Sequence, residues 1–296
     1  MLDATVSNEQ GAALAPARGP RWQATLALRF ARLDVHTRLI HRDHQGPLVV
    51  QKTLHPEGPT VCQAVIVHPP GGIAGGDALD LRVGLGNDAH AQLITPGAAK
   101  WYRSGGCFAS QSFAATLASG AVLEWLPHEA ILFDGAQART HTRLQLTGSA
   151  IAFAWDIVCL GRTAHGEHFA SGDLHQRIEV VRDGALVWVE QNVMTAASSV
   201  RAALSGLAGH AVFGTLLIAA PVIEDAWLAA ARAAGSDLAL DLAPHDCAVT
   251  RVPGALLVRC RADATGDVRA WLTAVWAALR PMVIGRPALP PRLWST

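Results

Sequence analysis

Two carboxylates lie where the surrounding sequence is apolar. Asp156 interrupts the run AWDIVCL at 154–160, and Glu190 ends a second apolar run. A buried carboxylate is costly unless it is paired, hydrated or bound to a cation. Arg162 and Arg177 are candidate ion-pair partners. The pattern therefore leaves two interpretations open, a structural ion pair or a functional polar cavity.

A glycine-rich loop is the most unusual segment of the chain. Residues 68–77 read HPPGGIAGGD and directly follow an apolar strand pattern. Its prolines stiffen the chain and its glycines permit positive φ or close backbone approach. These residues are Pro69, Pro70, Gly71, Gly72, Gly75 and Gly76. A phosphate-binding loop would also need a lysine, a serine or threonine and a helix immediately afterwards, which are missing here. A tight structural turn is favoured, while Asp77 is a candidate for a carboxylate that faces a cavity.

Signatures of catalysis are mostly missing. The sequence has no G-x-S-x-G motif of a hydrolase nucleophile. His128 and Glu129 begin like a zinc-protease helix, but Leu132 occupies the position of the second zinc ligand. Cys107 and Cys159 would need a positioned histidine to act as nucleophiles, so buried thiols are favoured. We therefore expect no catalytic residues.

Histidine is plentiful, with 13 copies and two local pairs. His41 lies near His44, and His165 and His168 lie on either side of Glu167. Such spacing can bind a borderline divalent metal such as nickel or zinc. Between strands, however, solvated histidine is the favoured interpretation.

The composition excludes several classes of protein. Of the 296 residues 50% are hydrophobic and only 16% are charged, which indicates uncharged surface that a partner covers. Lys plus Arg and Asp plus Glu both number 24, so there is no general electrostatic attraction to nucleic acid or anionic lipid. The longest charge-free apolar stretch, 211–223, contains a glycine and a proline and is too short to span a bilayer.

The N-terminus and the cysteines point to the cytoplasm. Residues 1–20 have no basic segment followed by an apolar one, so we interpret them as a disordered lead-in rather than a secretory signal. The five cysteines are odd in number, scattered and without a C-x-x-C pair. We expect reduced and mostly buried thiols.

Alternating apolar residues dominate from about residue 25 to residue 190 and predict a mainly β protein. Clear strand patterns lie at 60–67, 79–85, 142–146 and 174–181. Strands that follow one another without helices favour stacked or wrapped sheets over a doubly wound α/β fold. Two helices are predicted, the clearest at 267–279 and the other at 224–234.

A weak internal repeat has four copies, roughly 30 residues apart. Each copy has a large apolar residue, a turn and an alternating strand, and the copies begin at Leu85, Leu117, Leu146 and Val181. A β-helical stack would explain the repeat, because each unit leaves an apolar face that only its neighbours cover. Chance similarity between alanine-rich strands of a sandwich would explain it equally well.

Five stretches together resemble one protein family, the urease accessory proteins UreD, called UreH in some organisms. They are HPPGGIAGGD at 68–77, TPGAAKWYRS at 95–104, LEWLPHEAI at 123–131, AWDIVCLGR at 154–162 and LPPRLW at 289–294. Small departures are Trp101, where another aromatic is usual, and His128, where glutamine is common. The pair His165 and His168 does not match the family pattern, which weakens its claim to be a nickel site.

The resemblance implies a β-helical core with two helices and a non-enzymatic role in urease maturation. We expect one UreD-like domain over 21–285, followed by a proline-rich C-terminal tail at 286–296. Such proteins bind apo-urease and the accessory protein UreF, which recruits the GTPase UreG carrying nickel. Neither nucleic acid nor a membrane is an expected partner.

The resemblance also implies that nickel(II) passes transiently through a polar tunnel, with no permanently bound cofactor. Family residues that line this path match Asp77, Asp156 and Glu190. Two other hypotheses remain. One is a passive scaffold that bridges UreF to urease, and the other is a β-helical metal-dependent hydrolase with the same three carboxylates as ligands.

Overall fold

The computed structural model describes residues 22–235, 238, 240, 242–243 and 245–295. The predicted lead-in at 1–20 lies outside them. Strands and two α-helices follow in the order β1 Gln23–Leu33, β2 His36–Gln45, β3 Val49–Leu54, β4 Val61–Val67, β5 Gly72–Ile73, β6 Ala78–Leu85, β7 His90–Ile94, β8 Ala99–Trp101, β9 Ala109–Leu117, β10 Val122–Trp125, β11 Ala130–Leu132, β12 Gln137–Leu146, β13 Ile151–Leu160, β14 Asp173–Arg182, β15 Ala185–Thr195, β16 Val212–Ala219, α1 Asp225–Ala233, β17 Cys247–Val252, β18 Ala255–Ala262 and α2 Thr265–Ile284. The prediction of a mainly β protein with two helices is confirmed.

The strands form two large sheets and a short third face. The first sheet has the order β15-β14-β12-β9-β6-β1-β2, in which only the edge strands β2 and β15 are antiparallel to their neighbours. The second sheet has the order β17-β18-β16-β13-β10-β7-β4-β3, and β4, β7, β10 and β13 are parallel. Strands β5, β8 and β11 form the third face and also pair in parallel. The chain thus winds from the second sheet through the third face to the first, as in a β-solenoid.

The first three predicted repeats are turns of this solenoid. At Leu85, Leu117 and Leu146 the chain leaves the first sheet and crosses to the next strand of the second. The fourth copy, from Val181, was wrong. Asp183 and Gly184 both have positive φ, which makes a tight two-residue turn. This turn sends β15 back along β14 in the same sheet.

Two apolar cores hold the layers together. One lies between the two sheets, and the other lies between the second sheet and its two helices. Helix α2 buries the predicted stripe, whose members are Val268, Trp271, Leu272, Val275, Trp276 and Leu279. The helix continues past the predicted end at residue 279 to Ile284, with Pro281 inside its last turn. It ends where Gly285 adopts the left-handed conformation.

The C-terminal segment packs onto this helical layer. The Trp294 ring lies 5.0 Å from the Trp155 ring and 5.6 Å from the Trp276 ring, measured between centroids. The proline-rich tail predicted at 286–296 therefore contributes to the core within its described part. Among the described residues, no helix is long and apolar enough to cross a membrane.

Candidate functional site

A row of polar side chains crosses the inner face of the first sheet. The strand register aligns one residue from each of five strands, namely Leu79, Gln111, Thr140, Gln176 and Asn192. Leu79 belongs to the core between the sheets, so its row faces the interior. Four polar residues in such a row are unusual for a core and mark a hydrated or functional interior.

A cavity of about 240 Å³ adjoins this row. Residues of both sheets line it, among them Gln111, Thr140 and Asp156, and it extends to Gly71 and Gly72 of the glycine-rich loop. About 10 to 15 Å³ of such space holds one water molecule, so the cavity accommodates several. The interior thus has room for a small hydrated ion or molecule.

Several polar atoms at the cavity have no hydrogen-bond partner among the described residues. They are Nε2 of His68, Nε1 of Trp101, Nε2 of His128 and Oγ1 of Thr140. An unpaired buried polar group costs about 1 to 3 kcal/mol, so water or a polar guest is expected at these atoms. Burial lowers the pKa of both histidines, and nearby Arg269 further lowers that of His128. Both imidazoles are therefore neutral near pH 7, so each can accept a hydrogen bond from water or bind a cation.

Asp156 lies on β13 and faces the cavity. Its Oδ2 accepts a hydrogen bond of 2.7 Å from Nε2 of Gln176. Burial raises the pKa of the Asp156 carboxyl to about 6; the Gln176 hydrogen bond opposes this and the nearby Glu190 carboxylate adds to it. Asp156 is thus a carboxylate whose charge is only weakly compensated, as expected of a group that attracts a cation.

Glu190 lies on β15 and completes a continuous polar chain with Asp156. Asn192 donates to Oε1 of Glu190 at 3.2 Å and to Oε1 of Gln176 at 2.8 Å. At the far end, Nη2 of Arg259 donates to Oε2 of Glu190 at 2.7 Å. The structure therefore brings together two of the three predicted site carboxylates.

The arginine partners suggested from the sequence were wrong. Arg162 pairs with Glu167, and Arg177 pairs with Glu179. Arg162 belongs to the turn after β13, and Arg177 lies on the outer face of the first sheet because its neighbour Gln176 points inward. The ion-pair interpretation is nevertheless correct for Glu190, through Arg259.

Asp77 lies apart from this chain, at the end of the glycine-rich loop. Only 7% of the residue is exposed. Its Oδ1 accepts from the backbone N–H of Trp22 and its Oδ2 from that of Ala74, each at 2.9 Å. Asp77 thus links the loop to the residue before β1 through these two hydrogen bonds. Its charge also acts on His68, whose pKa it raises against the larger effect of burial.

The loop is a pair of tight turns, as favoured from its sequence. Pro69 and Pro70 form the first turn, where Gly71 N–H donates to the His68 carbonyl at 2.9 Å. Gly71 and Gly76 have φ of +73° and +94°. At Gly72 a Cβ would collide with the Tyr102 ring, and at Gly75 with the Ser104 hydroxyl. Close packing therefore explains these glycines.

Sequence reasoning missed another buried carboxylate, Glu124 of β10. It has no solvent exposure and accepts from Trp276 Nε1 at 2.8 Å and from Arg280 Nε at 3.0 Å. His90 Nε2 lies 2.7 Å from its Oε1. Burial alone would raise its pKa, but the hydrogen bonds and charges of His90 and Arg280 lower it to about 2. The sequence did contain a signal for this site, because Glu124 is an acidic residue within the otherwise apolar stretch VLEW at 122–125.

The remaining candidates for metal or nucleophilic chemistry do not converge. Among the described residues, no three His, Cys, Asp or Glu side chains form a group that could hold a metal ion. His41 and His44 are three positions apart on β2 and face opposite sides. Burial raises the pKa of Cys159, whose thiol donates to the Gly161 carbonyl at 3.1 Å. These candidates therefore do not form one cluster within the described part of the chain.

The model of the UreD urease accessory protein family matches residues 23–295. The chain belongs to the UreD family. A UreD urease accessory protein of Pseudomonas aeruginosa is 48% identical over 282 residues, which are 94% of this chain and 96% of the relative. UreD proteins of Pseudomonas fluorescens and Dechloromonas aromatica are 46% and 44% identical, over 94% and 95% of this chain and 96% and 97% of the relatives.

Membership of the UreD family supports a role in urease maturation and implies interaction with urease-related components. The relatives are named accessory proteins, which suggests a non-catalytic role.

Proposed function

We propose that the protein is a cytoplasmic nickel-insertion chaperone for urease. It binds apo-urease and UreF, and it receives nickel(II) that UreG delivers through UreF. The ion then passes through the interior polar chain toward the urease active site. Nickel is the cargo and does not remain as a cofactor.

The observation that supports this function most is the polar chain from Asp156 to Glu190 beside a cavity with unpaired polar atoms. Oxygen ligands hold nickel less tightly than thiolate or clustered imidazole. A conduction path needs sites that attract the ion yet release it. Single carboxylates spaced along a hydrated interior meet both requirements.

The proposal is tested with variants that remove charge but keep size. Asp156→Asn and Glu190→Gln are each assembled with UreF, UreG and apo-urease, and both complex yield and incorporated nickel are measured. Asp80→Asn is the matched control, because Asp80 is on the first sheet but faces outward and pairs with exposed Arg82. We expect normal complex yield and reduced nickel for the two interior variants only.

A passive scaffold is the second candidate, and the partners of Asp77 and Glu190 favour it. Both oxygens of Asp77 accept from backbone N–H groups, and Glu190 has an arginine partner. Normal nickel incorporation in the Asp156, Glu190 and Asp77→Asn variants would support the scaffold and contradict conduction. Loss of complex together with nickel would indicate that these carboxylates are structural.

A further inference from the structure

Arg259 occupies the end of the interior polar chain. It lies on β18 opposite Thr215 of β16, which in turn lies opposite Asp156 of β13. These three residues form one row of the second sheet, and Arg259 at the end of the row pairs with Glu190 of the first sheet. Arg259 is therefore the one cation that contacts the polar chain within the described residues.

A second, smaller space lies beside Asp156 and Thr215, two members of this row. It has a volume of about 10 Å³ and is lined by Asp156, Thr142 and Thr215 among others. This volume is close to that needed for a single water molecule. The row of polar side chains therefore begins at the large cavity with Asp156, continues with Thr215 and ends at Arg259.

Arg259 also borders the solvent. Its side chain is 45% exposed, whereas that of Glu190 is 12% exposed. Its guanidinium lies 5.8 Å from the centre of the Trp188 ring. Because nearly half of the side chain is already in solvent, it can move outward without opening the core.

We propose that Arg259 is a gate for the cargo ion, an inference that rests on the proposed function. The guanidinium holds Oε2 of Glu190, the oxygen that a passing divalent cation would need. Like charges repel, so the closed ion pair keeps nickel(II) on the inner side of Glu190. The ion passes this point only after Arg259 has moved into solvent.

The test measures how well nickel in transit is protected from a chelator. Arg259→Gln, Arg259→Lys and the parent chain are each assembled with UreF, UreG and apo-urease. Nickel incorporated into urease is measured without a chelator and with nitrilotriacetate at a concentration that halves transfer by the parent. For Arg259→Gln we expect normal transfer without chelator and roughly tenfold less transfer with it. Arg259→Lys keeps the charge and should resemble the parent.

The double variant Arg259→Gln/Glu190→Gln controls for an unpaired buried carboxylate. If Arg259→Gln alone fails to assemble, the double variant removes both charges. Its transfer without chelator should be reduced as in Glu190→Gln, and the chelator should lower that remaining transfer by more than the twofold seen for the parent. Parental chelator resistance in an assembled Arg259→Gln complex, or in the double variant, would overturn the gate. Failure of the proposed function is distinguishable, since it shows as normal nickel incorporation by Asp156→Asn without chelator.

Discussion

Glu124 of β10 and Arg280 of α2 form an ion pair in which neither side chain is exposed, with Nη2 2.9 Å from Oε1. Arg280 also reaches Glu57, in the turn between β3 and β4, at 2.7 Å. A single guanidinium thus connects the helical layer, the second sheet and the first hairpin of that sheet. Because the Arg280 guanidinium is fully buried, it stabilises the fold only if its N–H groups are paired with the two carboxylates.

Breaking this pair should destabilise the fold strongly. Replacing Glu124 with Ala leaves Arg280 without its main buried partner, a loss that typically costs about 3 to 5 kcal/mol. The measurement is thermal and urea unfolding of the purified protein. Glu179→Ala is the control, because Glu179 pairs with arginines at the partly exposed outer face and should change stability far less. Equal losses for the two variants would contradict a special role of the buried pair.

Because the pKa of the Asp156 carboxyl is raised, we expect this group to make the protein less stable at high pH than at low pH. Its pKa rises from 3.8 to about 6 on folding, so the folded state binds the proton more tightly than the unfolded chain. Ionised Asp156 therefore reduces stability above pH 6, and this cost declines as the pH falls from about 6 to below 4. Asp156→Asn should stabilise the protein at pH 8 by about 2 to 3 kcal/mol.

The check is unfolding by urea at pH 8 and pH 4 for both forms. The advantage of Asp156→Asn should be largest at pH 8 and should fall to about half a kcal/mol at pH 4. An advantage that is the same at both pH values would show that packing, and not the charge, accounts for the difference.

Two glycines that line the cavity offer a matched pair of substitutions, Gly72 of the glycine-rich loop and Gly97 of the segment between β7 and β8. A Cβ at Gly72 would meet the Tyr102 ring, whereas a Cβ at Gly97 has no atom within 4 Å, and both residues line the cavity. Gly72→Ala should cost about 1 to 3 kcal/mol as overpacking, and Gly97→Ala should stay within about 0.5 kcal/mol of the parent. Thermal unfolding measures both. A neutral Gly72→Ala would mean that Tyr102, which is partly exposed, moves aside freely.

Local pattern predicted most of the fold. Alternation located β4, β6, β12 and β14, and helical spacing located the buried stripe of α2. The repeat failed at its fourth copy because the apolar pattern after Val181 is the same whether the chain crosses between sheets or turns back. The difference lies in the turn itself, where Asp183 and Gly184 are two consecutive residues with positive φ.

The candidate site was predictable only in part. Asp156 and Glu190 stand out because acidic residues are rare in apolar strands. Gln176 and Asn192 do not, since polar residues at alternate strand positions normally face solvent. Arg259 is 69 residues from Glu190, so their pairing depends on how the two sheets stack and no local spacing reports it.

Nickel transfer itself should depend on pH through Asp156. Above pH 6 the carboxylate is ionised and attracts a divalent cation, whereas below pH 6 it is increasingly protonated and neutral. Transfer to apo-urease in the assembled complex should therefore decline as the pH falls from 7.5 to 5.5. To isolate the contribution of Asp156, the parent profile is divided by that of Asp156→Asn measured in the same complex. We expect this ratio to fall toward one with a midpoint near pH 6, because the Asn side chain has no charge to lose. A ratio that stays constant across this range would mean that the charge of Asp156 does not act on the ion.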